Sequence, residues 1–283
     1  MSTWYLGPLG DLRELVCPEP DVSMSVIRYG GVHQALSGAR TMDVTGHRQE
    51  FSFELKYLDQ DEFAWLEALH TRLVPGAYYL LNPMKRNRLS VQASTVTVAQ
   101  YSKTGLRVPV GSSWGRRTTA PTAGTGMPGR SVFAWHWTDP EPRFTFDQGR
   151  PIPVMPGETI TASAYFNPSV PDETPVTLRL DWFDANGDAL SPTVSPSIDL
   201  GTGWNRYSLP GATPPSGAVA CRFSVQMTDP DLAVYVSAPQ VEAGPQVTDW
   251  QVGGASLEVL VDQLETTSPR FPLQNATLTL LEA

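Results

Sequence analysis

Apolar and polar residues alternate along most of this chain, and only one stretch repeats its apolar residues at convincing helical spacing. That stretch is 59–82, DQDEFAWLEALHTRLVPGAYYLLN. Phe63, Leu66, Leu69, His70 and Leu73 fall three or four residues apart, which makes one helix face apolar. Asp59, Asp61 and Glu62 stand at the positive helix start, where Asp59 or Asp61 caps the first turn. Pro75-Gly76 then ends the helix, and residues 77–81 leave as an apolar strand. Residues 49–57 alternate before it, with Phe51, Phe53, Leu55 and Tyr57 on one face. A strand–helix–strand unit in a strand-rich chain predicts a scaffold that other segments complete.

Strands are also expected at 22–29, with Val22, Met24 and Val26 on one face, at 32–36 and 39–45, and at 89–98 (LSVQASTVTV). Residues 103–130 are rich in Gly, Thr, Pro and Ser, the composition of a linker or entry loop, partly ordered at 106–110. From 131 to 249 the pattern changes to about eight short strands with no helix, as in a sandwich or jelly roll. Asn186-Gly187 marks a hairpin turn there. The tail returns to the earlier style with strands at 257–264 and 275–281 around a Thr267-Ser268-Pro269-Arg270 turn. Two strands alone do not make a domain, so they must pair with the N-terminal frame. The expected fold is mainly β. It has a discontinuous β-sandwich or barrel frame with one helix (1–103 and 251–283) and an inserted β-sandwich jelly-roll module (104–250).

The 283 residues allow one large or two ordinary domains. The 26 prolines and 23 glycines fall between the alternating runs, which suits an all-β chain rich in turns. A net charge of −9 argues against a protein that reads nucleic-acid sequence, because such proteins carry a basic face. The acids are scattered, as on an ordinary soluble surface. No apolar run has transmembrane length, and MSTWYLGPLG has neither the basic start nor the apolar core of an export signal. The expectation is synthesis in a cytoplasm without export by the usual route. Cys17 and Cys221 lie in different predicted domains and read as two reduced, buried thiols.

Candidate chemistry is sparse. His33, His47, His70 and His136 are dispersed, with no metalloprotease motif, phosphate-binding loop or nucleophile elbow around them, so the chain is not expected to be an enzyme. Sugar binding is the better match, because aromatic faces suit the polarised C–H groups of a sugar ring. Trp135, Trp137, Tyr165 and Trp182 are the carbohydrate-binding candidates. Trp135 and Trp137 share a face two residues apart. Arg143, Asp181, Arg222 and Gln226 are candidate polar partners. Trp182 and Trp204 also sit where core residues sit, beside apolar strand positions. Asp184, Asn186 and Asp188 in DANGD alternate as calcium ligands would, but the distant Glu of an EF-hand is missing, and a hairpin turn explains them more simply. Lys85-Arg86-Asn87-Arg88 reads as a solvated loop or a subunit contact.

The middle of the chain resembles the carbohydrate-binding jelly rolls of xylanases and of minor tail proteins from phages of actinobacteria. The residues that carry the resemblance, in the family's order, are VMPGETI at 154–160 with SAY at 163–165, LDWFDANG at 180–187, GWNRYS at 203–208, and PQVEAG at 239–244 with Trp250. The flanks, ending in LQNATLTLLEA, resemble the ring-forming domain of distal-tail or baseplate-adaptor proteins of long-tailed phages, which combines a sheet, one helix and a late return strand. The resemblance implies a structural protein of the virion tail tip. Its subunits would form a closed homo-oligomeric ring, usually hexameric, against the tail tube and tail hub. The module would attach to a host-surface glycan. A structural calcium, common in related jelly rolls, would be its one cofactor, and neither specific nucleic-acid binding nor membrane insertion is implied. The alternative is a stand-alone carbohydrate-binding protein, or an accessory module of a cell-wall-degrading enzyme. A secreted sugar binder needs an export route, whereas lysis releases a virion, so the missing export signal favours the tail protein.

Overall fold

The computed structural model describes residues 3–16, 22–35, 37–43, 46–96, 106–107, 114–119, 127–128, 131–136, 143–147, 149–168, 174–227 and 233–283. The chain is mainly β and divides into two compact units: Thr3–Leu80 with Leu257–Ala283, and Leu81–Ser256.

The discontinuous unit is built on a seven-stranded sheet. Its order is Arg13–Glu14, Tyr5–Pro8, Tyr78–Leu81, Ser256–Arg270, Leu273–Glu282, Gly46–Leu58 and Ser23–Tyr29. The strand by which the chain leaves this unit, Tyr78–Leu81, is hydrogen-bonded to the strand by which it returns, Ser256–Arg270. Its core gathers Trp4, Phe51, Phe53, Leu66, Leu69, Tyr78, Leu257 and Leu278. Trp4 meets Phe53 edge-on, with ring centroids 5.1 Å apart. Each such fully buried large side chain stabilises the unit by roughly 1.5–3 kcal/mol.

The helix spans Gln60–His70, capped by Asp59. The Asp59 carboxylate accepts from the Glu62 N–H at 2.8 Å, and the Glu62 carboxylate accepts from the Asp59 N–H at 2.9 Å. This reciprocal pair satisfies two of the amides left over at a helix start. Trp65, Leu66 and Leu69 are its buried residues. Leu73 lies past the helix end and is 77% exposed, because Arg72 turns the chain with a positive φ of 60°.

Tyr57 also departs from expectation: it is 66% exposed, whereas Phe51, Phe53 and Leu55 are buried. Leu55 lies opposite Ala276 and Leu58 opposite Gln274, so one strand advances three residues while its partner advances two. That β-bulge, with Tyr57 at φ 60°, reverses the side-chain alternation and buries Leu58 instead. The tail hairpin is longer than expected. Its turn falls at Phe271-Pro272, between the paired residues Arg270 and Leu273. The edge strand Ser23–Tyr29 exposes Met24, Val26 and Tyr29. A separate small sheet pairs Val32–Gln34 with Arg40–Met42.

The second unit is a β-sandwich. One sheet has five strands: Asn205–Ala212, Ile160–Pro168, Ala233–Ala243, Ser131–His136 and Trp114–Thr119. The other runs Thr193–Val194, Pro175–Phe183, Ala220–Met227, Arg143–Phe146 and Leu106–Arg107, with Ile152–Pro153 and Ile198–Asp199 paired alongside. Both sheets feed one core that includes Phe144, Phe146, Phe166, Trp182 and Phe223. Two strands come from 103–130, expected to be a linker or entry loop partly ordered at 106–110: Leu106–Arg107 falls within that ordered part, and Trp114–Thr119 lies beyond it. They occupy sheet edges, where a short strand with few apolar residues still finds backbone partners.

Residues 81–96 and 251–256, expected to belong to the frame, fold with the sandwich. Leu89, Ala93 and Val96 lie in its core. The strand expected at 89–98 is replaced by a short helix, Val91–Thr95. The Ser90 side chain caps it by accepting from the Ala93 N–H at 3.1 Å, and the Ser90 N–H and hydroxyl both donate to the buried Asp147 carboxylate at 2.6 Å. Local β-propensity is overridden because the cap and its anchor are both satisfied only in the helical arrangement.

Lys85-Arg86-Asn87-Arg88 is not a solvated loop as a whole. Asn87 is fully buried and Arg88 nearly so. The Asn87 amide donates to Pro239 O at 3.0 Å and Gln251 O at 2.9 Å, and its carbonyl oxygen accepts from the Val241 N–H at 3.1 Å and the Leu89 N–H at 3.2 Å.

Candidate functional site

The strand Pro175–Phe183 alternates through its whole length. Val176, Leu178, Leu180 and Trp182 enter the core, and Thr177, Arg179, Asp181 and Phe183 face outward. Antiparallel register sets the outward residues beside those of the neighbouring strands. Asp181 lies opposite Arg222, Arg179 opposite Ser224 and Thr177 opposite Gln226. On the far side, Arg143 pairs with Gln226 and Thr145 with Ser224. Cross-strand partners share a face. Arg143, Asp181, Arg222 and Gln226, singled out in the sequence as polar partners, are therefore brought together on one outer sheet face.

The Asp181 carboxylate organises this face. It accepts from Arg179 Nε at 2.5 Å, from Ser224 Oγ at 2.8 Å and from Arg143 Nη1 at 3.4 Å. The Ser224 and Thr145 hydroxyls are 3.1 Å apart. The Arg222 guanidinium lies 4.4 Å from the Phe183 ring centroid. Two guanidiniums, of Arg143 and Arg179, thus meet the Asp181 carboxylate, and a third, of Arg222, stands opposite it in register, a local excess of positive charge on a chain whose net charge is −9. The Asp199 carboxylate lies at the far end of the face, opposite Pro175. Arg143 is the most open of the three ion-paired residues on this face, its side chain 42% exposed against 26% for Arg179 and 15% for Asp181. Arg179, Thr145, Ser224, Thr177 and Phe183 were not singled out from sequence. Period-two alternation in VTLRLDWF could have indicated Arg179, since it places that residue on the same face as Asp181.

Of the aromatic candidates, the structure describes the side chains of Trp182 and Tyr165, which belong to different sheets. Trp182 is fully buried, and its Nε1–H donates to Thr193 Oγ1 at 2.9 Å. It is a core residue, because inward alternation and a satisfied indole leave it no surface. Tyr165 belongs to the five-stranded sheet and is half-buried, with the Arg206 guanidinium 5.7 Å from its ring centroid. Trp135 lies in the strand Ser131–His136, opposite Val234 and Gly115 in register. The Trp135 side chain and the whole of Trp137 lie outside the described residues, as does Cys17.

Part of the outer face of the five-stranded sheet, on Asn205–Ala212, Ile160–Pro168 and Ala233–Ala243, is covered by the chain's own return segment. The Glu242 carboxylate accepts from Gln240 Nε2 at 2.8 Å, from the Thr248 N–H at 3.0 Å and from the Thr248 hydroxyl. The Gln251 N–H donates to Gln240 Oε1 at 2.8 Å, and Arg206 donates to Thr248 O and to Ser163 Oγ. Gln240, Glu242 and Ser163 are all buried as a result.

The calcium candidates Asp184, Asn186 and Asp188 lie in a hairpin turn. The Asp184 carboxylate accepts from the Asn186 and Asp188 N–H groups, both at 2.9 Å, and the Gly187 N–H closes the turn on Asp184 O at 3.0 Å. One oxygen of the carboxylate that would lead a metal shell, Asp184 Oδ1, is engaged by the hairpin. Among the described residues, no group of three or more His, Cys, Asp or Glu is placed to hold a metal. Also among them, no helix is long and apolar enough to cross a membrane.

No protein-family model matches the chain. No curated protein matches it either. Solved structures similar to it include the enzymatically active domain of tailspike protein 4 from bacteriophage CBA120, at 15% identity and a TM-score of 0.42 over 56% of this chain and 21% of that one. The similar part is thus about a fifth of the tailspike chain. The CBM22-1 xylan-binding domain of Paenibacillus barcinonensis Xyn10C is similar at 14% identity and a TM-score of 0.38, over 50% of this chain and 88% of that one. The C-terminal family 22 carbohydrate-binding module of Clostridium thermocellum Xyn10B is similar at 13% identity and a TM-score of 0.40, over 58% and 95% of the two chains.

Proposed function

We propose that this chain is a non-enzymatic structural protein of a phage tail tip, in which the discontinuous unit assembles into a ring and the sandwich unit binds a host-surface glycan. The observation behind the proposal is the division of labour in the chain path. A complete sandwich is inserted between two hydrogen-bonded neighbouring strands of the other unit, so the sandwich is displayed without interrupting that sheet. The discontinuous unit has the surface an assembling subunit needs. Its strand Ser23–Tyr29 is at the sheet edge, with no strand beyond it among the described residues, and exposes Met24, Val26 and Tyr29. The sandwich supplies donors and acceptors for sugar hydroxyls on the Arg143–Asp181–Arg222–Gln226 face. The motif resemblance to tail-protein jelly rolls supports the same assignment.

Electron cryomicroscopy of the purified full-length protein tests it. Closed rings, with binding to purified host cell wall, are the expected result. A monomer that binds no wall material overturns the proposal. A monomer that does bind favours the second reading, a stand-alone carbohydrate-binding protein, for which the sandwich face is sufficient.

A further inference from the structure

We infer that the glycan recognised by the outer face of the Pro175–Phe183 sheet is acidic: a polysaccharide that carries carboxylates on its sugars. The inference rests on the glycan-binding part of the function proposed above and adds the chemical class of its ligand.

Charge is the first reason. Arg143, Arg179 and Arg222 share this face with two carboxylates: Asp181 among them, and Asp199 opposite Pro175 at the other end of the strand, six residues from Asp181. Asp181, held by Arg179 Nε and Ser224 Oγ, needs no further cation to be satisfied, yet Arg143 also reaches it, at the longer distance of 3.4 Å and with much of its side chain in solvent. A guanidinium presents five donors in a planar fork that fits a planar carboxylate. An arriving carboxylate would take up Arg143 donors at little cost to Asp181.

Geometry is the second reason. A neutral sugar is held mainly by an aromatic ring offered face-on to solvent. Here the one aromatic residue of the outward row, Phe183, already has the Arg222 guanidinium 4.4 Å from its ring centroid. The remaining outward groups are hydroxyls and an amide: Thr145, Ser224, Thr177 and Gln226. They are fitted to sugar hydroxyls on either side of a carboxylate. The same covered ring argues against single-stranded nucleic acid, whose affinity depends on bases stacking on open aromatic faces.

Calorimetry on the full-length protein tests the inference with eight defined probes: oligogalacturonate, oligomannuronate and a glucuronate-bearing oligosaccharide, the carboxyl-reduced neutral form of each, and, as non-sugar-acid polyanions, a glycerol-phosphate polymer and oligodeoxythymidine. The expected result is that at least one acidic probe binds and that its reduced form binds at least ten-fold more weakly. Arg143→Gln should weaken the acidic probe about ten-fold and flatten its salt dependence, with an unchanged melting temperature. Equal binding of acidic and neutral forms overturns the inference but leaves glycan binding standing. Binding of a glycerol-phosphate polymer or of oligodeoxythymidine, with none of the acidic sugars bound, also overturns it. If none of these probes binds and host cell wall is not retained either, the glycan-binding proposal itself fails.

Discussion

Arg88 and Glu158 form a buried two-pronged ion pair, Nη1 to Oε1 at 2.5 Å and Nη2 to Oε2 at 2.8 Å, that ties the segment entering the sandwich to the loop before its first long strand. Arg88 Nη1 also donates to Pro153 O at 2.8 Å, and Glu158 Oε1 accepts from the Met155 N–H at 2.6 Å. The desolvated charges are therefore surrounded by further hydrogen bonds, which is the condition under which such a pair is tolerated.

Removing one partner should be costly, because the other charge is left buried. Arg88→Met is expected to lose about 3–5 kcal/mol of unfolding free energy in urea titration. The double change Arg88→Met with Glu158→Leu should lose clearly less. A single variant as stable as the parent would mean the pair is dispensable.

Gly253 is fixed by close approach and not by its φ angle. A Cβ there would lie 2.2 Å from Leu89 O and 2.5 Å from Ser90 O, both backbone atoms with little room to move. The Gly253 N–H donates to Ser94 Oγ at 2.8 Å, which holds the contact in place. Gly253→Ala should cost about 1–3 kcal/mol through overpacking, seen as a lower melting temperature.

Trp182 gives a direct test of core against platform. Trp182→Ala should cost about 3–5 kcal/mol, because it empties a fully buried site and strands Thr193 Oγ1. Trp182→Phe should cost less. If Trp182→Ala instead kept the parent's stability and lost only glycan binding, the core assignment would be wrong.

Cys221 offers a pH test. Burial is the main force raising its thiol from 9.0 to about 12; the Arg88 charge opposes this, while Glu158 and Asp181 add to it. The folded value lies above the unfolded one, so the stability gained from a neutral thiol is complete below about pH 9 and is lost as the pH rises toward 12. In a Cys17→Ser background, the native protein should not react with a thiol reagent at pH 8 but should react once unfolded in urea. The alkaline fall in stability should be smaller after Cys221→Ala.

Periodicity is a local property, and it determined what depends on near neighbours. The sequence placed the Gln60–His70 helix with Asp59 or Asp61 as its cap, of which the structure uses Asp59, the alternation that buries Phe51 and Phe53, and the turn at Asn186-Gly187. It also supplied four residues of the candidate face, although not the fact that three strands would set them side by side. Tertiary structure decided the rest. A bulge against Ala276 turned Tyr57 outward, and Asp147, 57 residues from Ser90, anchored a helix where β-propensity predicts a strand. Glu158 lies 70 residues from Arg88, and Gln251 lies 164 from Asn87. Asn87 and Arg88 read as part of a solvated loop because an isolated stretch of sequence offers them no partner. A charge or amide enters the core only when distant segments satisfy it, and no local pattern records which segments will meet.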